Sequence, residues 1–531
     1  MLSLVVMSGC RAAADGGRPA RSPWFDERAR DSGLTFVHAN GMSGRFDFHE
    51  IMGSGAALFD YDNDGDLDVF LVQGNGASRL FRNDLSGHAL HFTDVTAESG
   101  IVTTEYGMGV ATGDFNNDGC VDLYLTNVGG NQLYRNNCDG TFTDVSGRSG
   151  ASDAGWSVSA TFVDYDRDGW PDLFVGHYVS YSLATNTRCF SVSGRPDYCS
   201  PNAYRPEQNH LYHNNRDGTF TDVTAASGLA GPFGPTLGVV ADDFDGDGWV
   251  DLYVANDGRE NQLWINRHDG TFRNAGLLSG AALTVDAKAT GSMGVDAADM
   301  DGDGIDDLMI TTLVGEGMSL FLRRAPGAFD DAGARTGIRT LTLGSTGFGV
   351  HTIDADNDGR LDVLSVNGAV RTIEALAQTG DPFPFSQRRQ LLHNAGHGRF
   401  EDVSDQAGAA FAHAEVGRGA AFGDIDNDGD TDVVVANNNG PARLFINQVG
   451  NQKHWVGLVA RVGARVQVGD VFRRAATDGS YASASDPRVL VGLGESTVSP
   501  SVRVTWPDGR VEMWPAIPID RYTTLHEGTG Q

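Results

Sequence analysis

Seven times along this 531-residue chain the nine-residue pattern Asp-x-[Asp/Asn]-x-Asp-Gly-x-x-Asp recurs, beginning at Asp60, Asp114, Asp164, Asp243, Asp299, Asp354 and Asp424. Successive starts lie 54, 50, 79, 56, 55 and 70 residues apart. That is the spacing of one supersecondary unit per loop, with insertions in the third and sixth intervals, so the chain is a repeat array.

Positions one, three, five and nine of each copy carry side-chain oxygens, position six is glycine, and position seven can turn its carbonyl inward. The first copy offers Asp60, Asp62, Asp64 and Asp68 with the carbonyl of Asp66; the second Asp114, Asn116, Asp118 and Asp122 with that of Cys120. The third offers Asp164, Asp166, Asp168 and Asp172 with Trp170; the fourth Asp243, Asp245, Asp247 and Asp251 with Trp249. The fifth offers Asp299, Asp301, Asp303 and Asp307 with Ile305; the sixth Asp354, Asp356, Asp358 and Asp362 with Arg360; the seventh Asp424, Asp426, Asp428 and Asp432 with Asp430. A hard divalent cation wants such an all-oxygen shell, and the opening matches an EF-hand calcium loop. An EF-hand would continue to a Glu at position twelve and be flanked by helices. Here the flanks are β-branched and aromatic runs such as Val69-Phe70-Leu71-Val72, which read as strands. The competing reading is that Asp, Asn and Gly are turn formers. A turn would accept Asn or Ser, yet 27 of the 28 side-chain positions are Asp and the remaining one is Asn116. Calcium, up to seven ions with a structural role, is the expected cofactor.

The charge agrees. The formal net charge is −31, and the cages carry much of the acid. Carboxylates converging in one turn repel one another, so ion binding is expected to supply folding free energy. No Lys/Arg run appears and the field is negative, which disfavours nucleic acid as a partner.

The second copy shows the whole unit: an inner strand over 107–113, the metal loop, a second strand over 123–126, a third over 132–136 and a fourth over 141–145. Four antiparallel strands make one blade, and blades stack radially. The expected fold is all-β, a seven-bladed β-propeller over 24–448 with a small C-terminal β domain over 449–531. No fourth strand follows Arg443-Leu444-Phe445-Ile446-Asn447, whereas the segment from Phe25 resembles one. The N-terminal stretch is therefore expected to complete blade seven, which removes exposed edges.

The repeated Gly-x-x-x-Asp-x-Asp-x-Asp-Gly-x-x-Asp-Leu with its Leu-Tyr-x-Asn tail resembles the FG-GAP or VCBS-type repeat of integrin α-chain propellers and secreted bacterial proteins. Beyond Asn447, Gly463-Ala464-Arg465-Val466, Leu490-Val491-Gly492-Leu493-Gly494 and Val502-Arg503-Val504-Thr505-Trp506-Pro507-Asp508-Gly509 resemble the ASPIC/UnbV domain. The combination is similar to bacterial relatives of cartilage acidic proteins, and implies an extracellular calcium-binding protein.

By residues alone, Val502, Val504 and Trp506 alternate before a Pro507-Asp508-Gly509 turn, with Val511 and Met513 after it, which predicts a hairpin with one apolar face. Trp455, Trp506 and Trp514 read as core or seam aromatics rather than a carbohydrate platform. Equal counting along the hairpin around Val128-Gly129-Gly130 sets Cys120 opposite Cys138, and Cys189 lies ten residues from Cys199, so two local disulfides are favoured over a zinc site. Cys10 follows Met7-Ser8-Gly9 behind an apolar stretch, an imperfect lipobox. The reading is a leader over 1–23, a possible lipid anchor at Cys10, no transmembrane helix, and an extracytoplasmic location: secreted, periplasmic or outer-membrane lipoprotein of a bacterium.

No Gly-x-Ser-x-Gly, His-Glu-x-x-His or phosphate-cradling loop is present, so no catalytic residue is assigned. His49, His177, His210 and His351 read as polar residues in or near strands. Two insertions, 179–207 with Tyr181, Phe190, Tyr198 and Tyr204 next to Tyr178, and 369–389 with Phe383 and Phe385, follow second strands and should emerge at one end of the ring. They suit a protein or polysaccharide ligand, or else they cover apolar surface. The functional expectation is a binding or adhesion module; a lyase-type polysaccharide enzyme is the alternative.

Overall fold

The computed structural model describes residues 23–87, 89–231 and 233–531. They form seven four-stranded antiparallel sheets whose innermost strands are Ala56–Phe59, Tyr106–Gly113, Ser157–Val163, Thr236–Asp242, Val295–Ala298, Gly347–Ile353 and Gly417–Gly423. Each innermost strand lies against the next, and the last against the first, which gives a β-propeller. The expected leader and Cys10 lie outside the described residues.

In the second sheet the strands are Tyr106–Gly113, Asp122–Val128, Gln132–Asn136 and Phe142–Asp144, close to the bounds read from sequence. Second strands such as Asp251–Asn256 are buried along their whole length because neighbouring blades cover both faces. Apolar side chains fill every seam between blades: Leu58 and Val69 meet Val434 between the first and last, and Tyr253 meets Leu308 between the fourth and fifth. At several points near the axis the backbones approach so closely that only glycine fits. A Cβ on Gly109 would lie 2.3 Å from the Val158 carbonyl oxygen of the next blade.

The last sheet closes as expected. Phe25–Glu27 pairs antiparallel with Arg443–Asn447, with Phe25 opposite Asn447. Cα atoms of Cys120 and Cys138 lie 5.7 Å apart and those of Cys189 and Cys199 5.2 Å apart, both pairs disulfide-bonded.

The C-terminal domain has two small sheets. One contains His454–Val459, Val489–Gly494 and Tyr522–Thr524; the other contains Arg465–Val468, Val471–Arg474, Val502–Thr505 and Val511–Trp514. The predicted hairpin is present, with Thr505 opposite Val511. Trp455 and Trp506 are buried and Trp514 packs on that core, so the tryptophans are internal.

One feature escaped the sequence reading. Segment 475–488 leaves this domain and runs through the centre of the ring, where it bonds to all seven innermost strands. Leu58 and Val110 donate backbone N–H groups to the carbonyls of Ala484 and Ala482, and Ala482 donates to Ser159 Oγ, each at 3.1 Å. Ala241 donates to Asp478 Oδ2 at 2.7 Å, Val295 to the Ser480 carbonyl at 3.1 Å, Val350 to Ser480 Oγ at 3.3 Å and Phe422 to Ser485 Oγ at 3.2 Å. Edge groups that would otherwise need water are thus satisfied by one short polar peptide. Its Tyr481 is fully buried and donates to the Met52 carbonyl at 3.1 Å.

Both insertions emerge at the end of the ring opposite the Asp-rich loops. There Tyr178, Tyr198 and Phe385 are buried against Phe48 and Trp156, and Tyr181, Tyr204 and Phe383 are partly so. Of the aromatics singled out from sequence, Phe190 alone is largely exposed, at 60%. Covering apolar surface is therefore the main task of these rings.

Candidate metal-binding loops

Each Asp-rich loop joins the first strand of a blade to its second, and the backbone winds tightly over four residues. Position six demands left-handed backbone, with φ of +94° at Gly65 and +95° at Gly429, so glycine stands there in all seven copies. Position four is also left-handed at Asn63, Asn117, Arg167, Asn357 and Asn427. The first carboxylate fixes the turn: Asp60 accepts backbone N–H groups of Asp64 at 3.1 Å and Gly65 at 2.9 Å, and Asp424 accepts those of Asp428 and Gly429 at 3.0 and 2.9 Å.

Position nine is the buried end. Asp68, Asp122, Asp172, Asp307 and Asp432 have no exposed surface. Asp68 accepts the N–H of Tyr61 at 3.0 Å and that of Asn83 at 2.8 Å; Asp432 accepts from Ile425 and Asn447 at 2.9 and 2.7 Å. Burial pushes the Asp68 and Asp172 carboxyls up to about 9, and those of Asp122, Asp251 and Asp307 up to about 8. In the seventh loop burial and then neighbouring carboxylates raise Asp426 to about 8 and hold Asp430 and Asp432 well above the usual range.

Asp60, Asp62 and Asp68 bring ligand oxygens within 4.8 Å of one another. Buried oxygens lacking any hydrogen-bond donor include Oδ1 of Asp62, Asp356, Asp426, Asp428 and Asp430, and Oδ2 of Asp172. Orphaned carboxylate oxygens at that density fit a hard divalent cation, which supplies charge to all of them at once. Side-chain oxygens at positions one, three, five and nine, with the carbonyl of position seven, are the groups that would hold it. Cys120 offers only its carbonyl, because its sulfur is in the disulfide.

The loops are also tied to one another. Asn63 and Asn117 donate side-chain N–H groups to the carbonyls of Gly119 and Gly169 in the following loops at 3.3 and 3.0 Å, and Asn357 donates to Gly429 at 2.8 Å. Asn427 closes the circuit on Asp66 Oδ1 at 2.8 Å. The Asn ending the tail of blades two, three and four points backward: Asn136, Asn214 and Asn266 donate to the carbonyls of Tyr61, Phe115 and Tyr165, all at 2.8 Å. In blade five Arg323 takes that role, reaching the Asp243 carbonyl at 2.6 Å.

The C-terminal domain sits on this end of the ring. Tyr522 donates to Asp424 Oδ2 at 2.9 Å and Arg488 to the Asp424 carbonyl at 2.7 Å. Arg461, Arg465 and Arg473 donate to the carbonyls of Gly169, Gly304 and Gly359 at 3.1, 2.7 and 3.2 Å. Trp455 lies so close to Gly429 that a Cβ there would be 1.8 Å from its ring.

A model of the FG-GAP-like repeat matches residues 60–125, 114–175, 193–254 and 243–310, and a model of the ASPIC and UnbV domain matches 450–531. The chain is an FG-GAP repeat protein with an ASPIC/UnbV domain. Cartilage acidic protein 1 of Homo sapiens is 26% identical over 315 residues, covering 55% of this chain and 43% of that protein. The Mus musculus protein of the same name is 27% identical over 244 residues, covering 41% and 34%. The chain matches less than half the length of these relatives. Among solved structures, an Agrocybe aegerita lectin specific for non-reducing terminal N-acetylglucosamine aligns over 72% of this chain and 88% of its own, with a TM-score of 0.40 and 17% identity.

Three FG-GAP loops gain a histidine neighbour that the sequence reading missed; in the fourth loop, His268 Nε2 lies 2.5 Å from Asp247 Oδ2. His213 Nδ1 lies 3.3 Å from Asp166 and 3.1 Å from Asp172, and His393 Nδ1 lies 3.0 Å from Asp362. His213 and His393 each precede the tail Asn of their own blade, whereas His268 stands two residues after Asn266, so the residues flanking that Asn were the signal. The other histidines are engaged in polar contacts: His49 with the Tyr181 hydroxyl at 3.1 Å, His177 with Ser157 Oγ at 3.2 Å, His210 with Asp153 at 2.5 Å and His351 with Asp296 at 3.1 Å.

Proposed function

We propose that this protein is an extracytoplasmic binding propeller, stiffened by calcium in its FG-GAP loops, that engages a protein or polysaccharide through the insertion-bearing end. The observation that carries the reading is the set of buried, donorless carboxylate oxygens in the loops, which a divalent cation would neutralise. Two disulfides favour an oxidising compartment. Among the described residues no helix is long and apolar enough to cross a membrane. The C-terminal domain covers the metal-loop end and its axial segment fills the channel, which leaves the insertion end as the accessible face. There Leu183, Phe190 and Val192 are exposed at 61, 60 and 100%, and apolar side chains held on a rigid scaffold suit recognition.

The test is a pull-down from the native cell envelope with calcium present and after chelation, alongside elemental analysis of the purified protein. A ligand captured only with calcium, and several equivalents of calcium per chain, are expected. Absence of bound alkaline-earth metal after purification in millimolar calcium ends the cofactor reading.

A further inference from the structure

At the insertion end, between blades three and six, lies a cavity of about 550 Å³, a size suited to a small organic ligand. Its lining is mostly apolar. Leu313, Val314, Val370 and Ile373 contribute to it, together with the buried rings of Phe48 and Phe348. Into this lining the chain sets one buried carboxylate, Asp257, 7% exposed, at the end of the second strand of blade four. Tyr178 donates its hydroxyl to Asp257 Oδ2 at 2.7 Å.

A buried carboxylate normally faces a cation, and Asp257 has none. Its backbone N–H is committed to the Pro235 carbonyl, and the next acid, Glu316, adds negative charge; Glu316 is held by the N–H groups of Gly291 at 2.9 Å and Leu313 at 3.3 Å. Burial is the main cause that lifts the Asp257 carboxyl to about 6, with Glu316 adding to it and the Tyr178 hydroxyl opposing it. The one cationic side chain on the lining, Arg371, is exposed, and its Nη1 donates to the Tyr198 carbonyl at 2.6 Å. The charge required to complete the site must therefore arrive with the occupant.

We propose that this cavity binds a small organic cation, an apolar or aromatic body carrying a protonated amine, with the ammonium group against Asp257 and the Tyr178 oxygen and the body among the aromatic and aliphatic walls. The Phe348 ring already carries the Arg418 guanidinium, 4.0 Å from its centroid, so the attraction rests on the ion pair with Asp257, which the low dielectric of the site strengthens. The lining shares no residue with the Asp-rich loops or with the exposed Leu183, Phe190 and Val192, so failure of this assignment would leave the proposed function standing, and the reverse.

The experiment is calorimetric titration of the full chain in calcium with phenethylammonium, neutral 2-phenylethanol and anionic phenylacetate. The cation is expected to bind at least tenfold more tightly than the alcohol, and the anion not at all. Asp257→Asn should erase the preference while the melting curve stays cooperative, and Tyr178→Phe should weaken the cation several-fold. Equal binding of cation and alcohol, preference for the anion, no heat from any probe, or retention of the cation preference in Asp257→Asn would each overturn the assignment. Should Asp257→Asn fold poorly, crystals soaked with 4-bromophenethylamine decide the matter: anomalous signal in this cavity supports it, and signal absent from it refutes it.

Discussion

The second and seventh Asp-rich loops share one backbone and live in opposite surroundings. In loop two Asn116 donates to Asp118 Oδ2 at 2.8 Å, and the disulfide from Cys120 to Cys138 staples the turn to the next hairpin. Loop two faces solvent through Asp118. In loop seven Asp424, Asp426, Asp430 and Asp432 are all buried, beneath Trp455, Tyr522 and Arg488. The same nine residues can thus be held by local covalent and amide bonds, or by an assembly that makes a countercharge indispensable. A loop of the first kind should keep its shape without metal, and one of the second kind should not.

The strongest way to break this contrast is to uncover loop seven. A chain truncated after Val449 loses both the lid and the axial segment, and should fail to give a cooperative melt by circular dichroism; an unchanged transition would show that neither matters. Next comes Asp426→Asn, whose sign should depend on metal. With calcium it removes one ligand charge but keeps a side-chain oxygen, and in this buried loop should cost about 2 kcal/mol, the order of a weakened contact to a buried charge. After chelation it removes one of several crowded carboxylates and should raise the melting temperature. Scanning calorimetry of both forms checks the reversal, and equal signs would remove calcium from loop seven.

Replacing Cys120 and Cys138 by Ser should cost about 3 kcal/mol, the usual effect of opening a loop of this length. Hydrogen exchange should place the loss in blade two and leave loop seven protected. The smallest effect belongs to Asn116→Asp. It adds the missing carboxylate and should tighten one calcium site by a few-fold in a chelator-competition titration, with little change in melting temperature when calcium saturates.

The loops, the strand order within a blade and the N-terminal clasp were legible because each is written in a short stretch with its own period or turn chemistry. Phe25 announces itself as a fourth strand by likeness to Phe92, and the tail Asn recurs at a fixed offset. The axial segment carries no such mark. Ser480 and Tyr481 fall in the stretch that resembles the ASPIC/UnbV domain, but nothing in Thr477, Ser480, Ser483 and Ser485 names their partners, and their role follows from seven strand edges that converge only after the ring has closed. His213 and His393 were hidden for a related reason: they stand 41 and 31 residues from the loop carboxylates Asp172 and Asp362 they approach. For the insertions, aromatic content was visible and its direction was not; Tyr198 and Phe385 turn inward, 5.6 Å apart.

The axial segment also sets an order of events during biogenesis. Ala56 in the first blade donates its N–H to Ser483 Oγ, 427 positions later in the chain, at 3.1 Å. A nascent polypeptide that has completed six blades still lacks the pin on which all of them turn, and the first sheet waits for a peptide 427 positions downstream. A copy that stalls or ends before this segment therefore exposes an unfilled hub to any quality-control protease it meets.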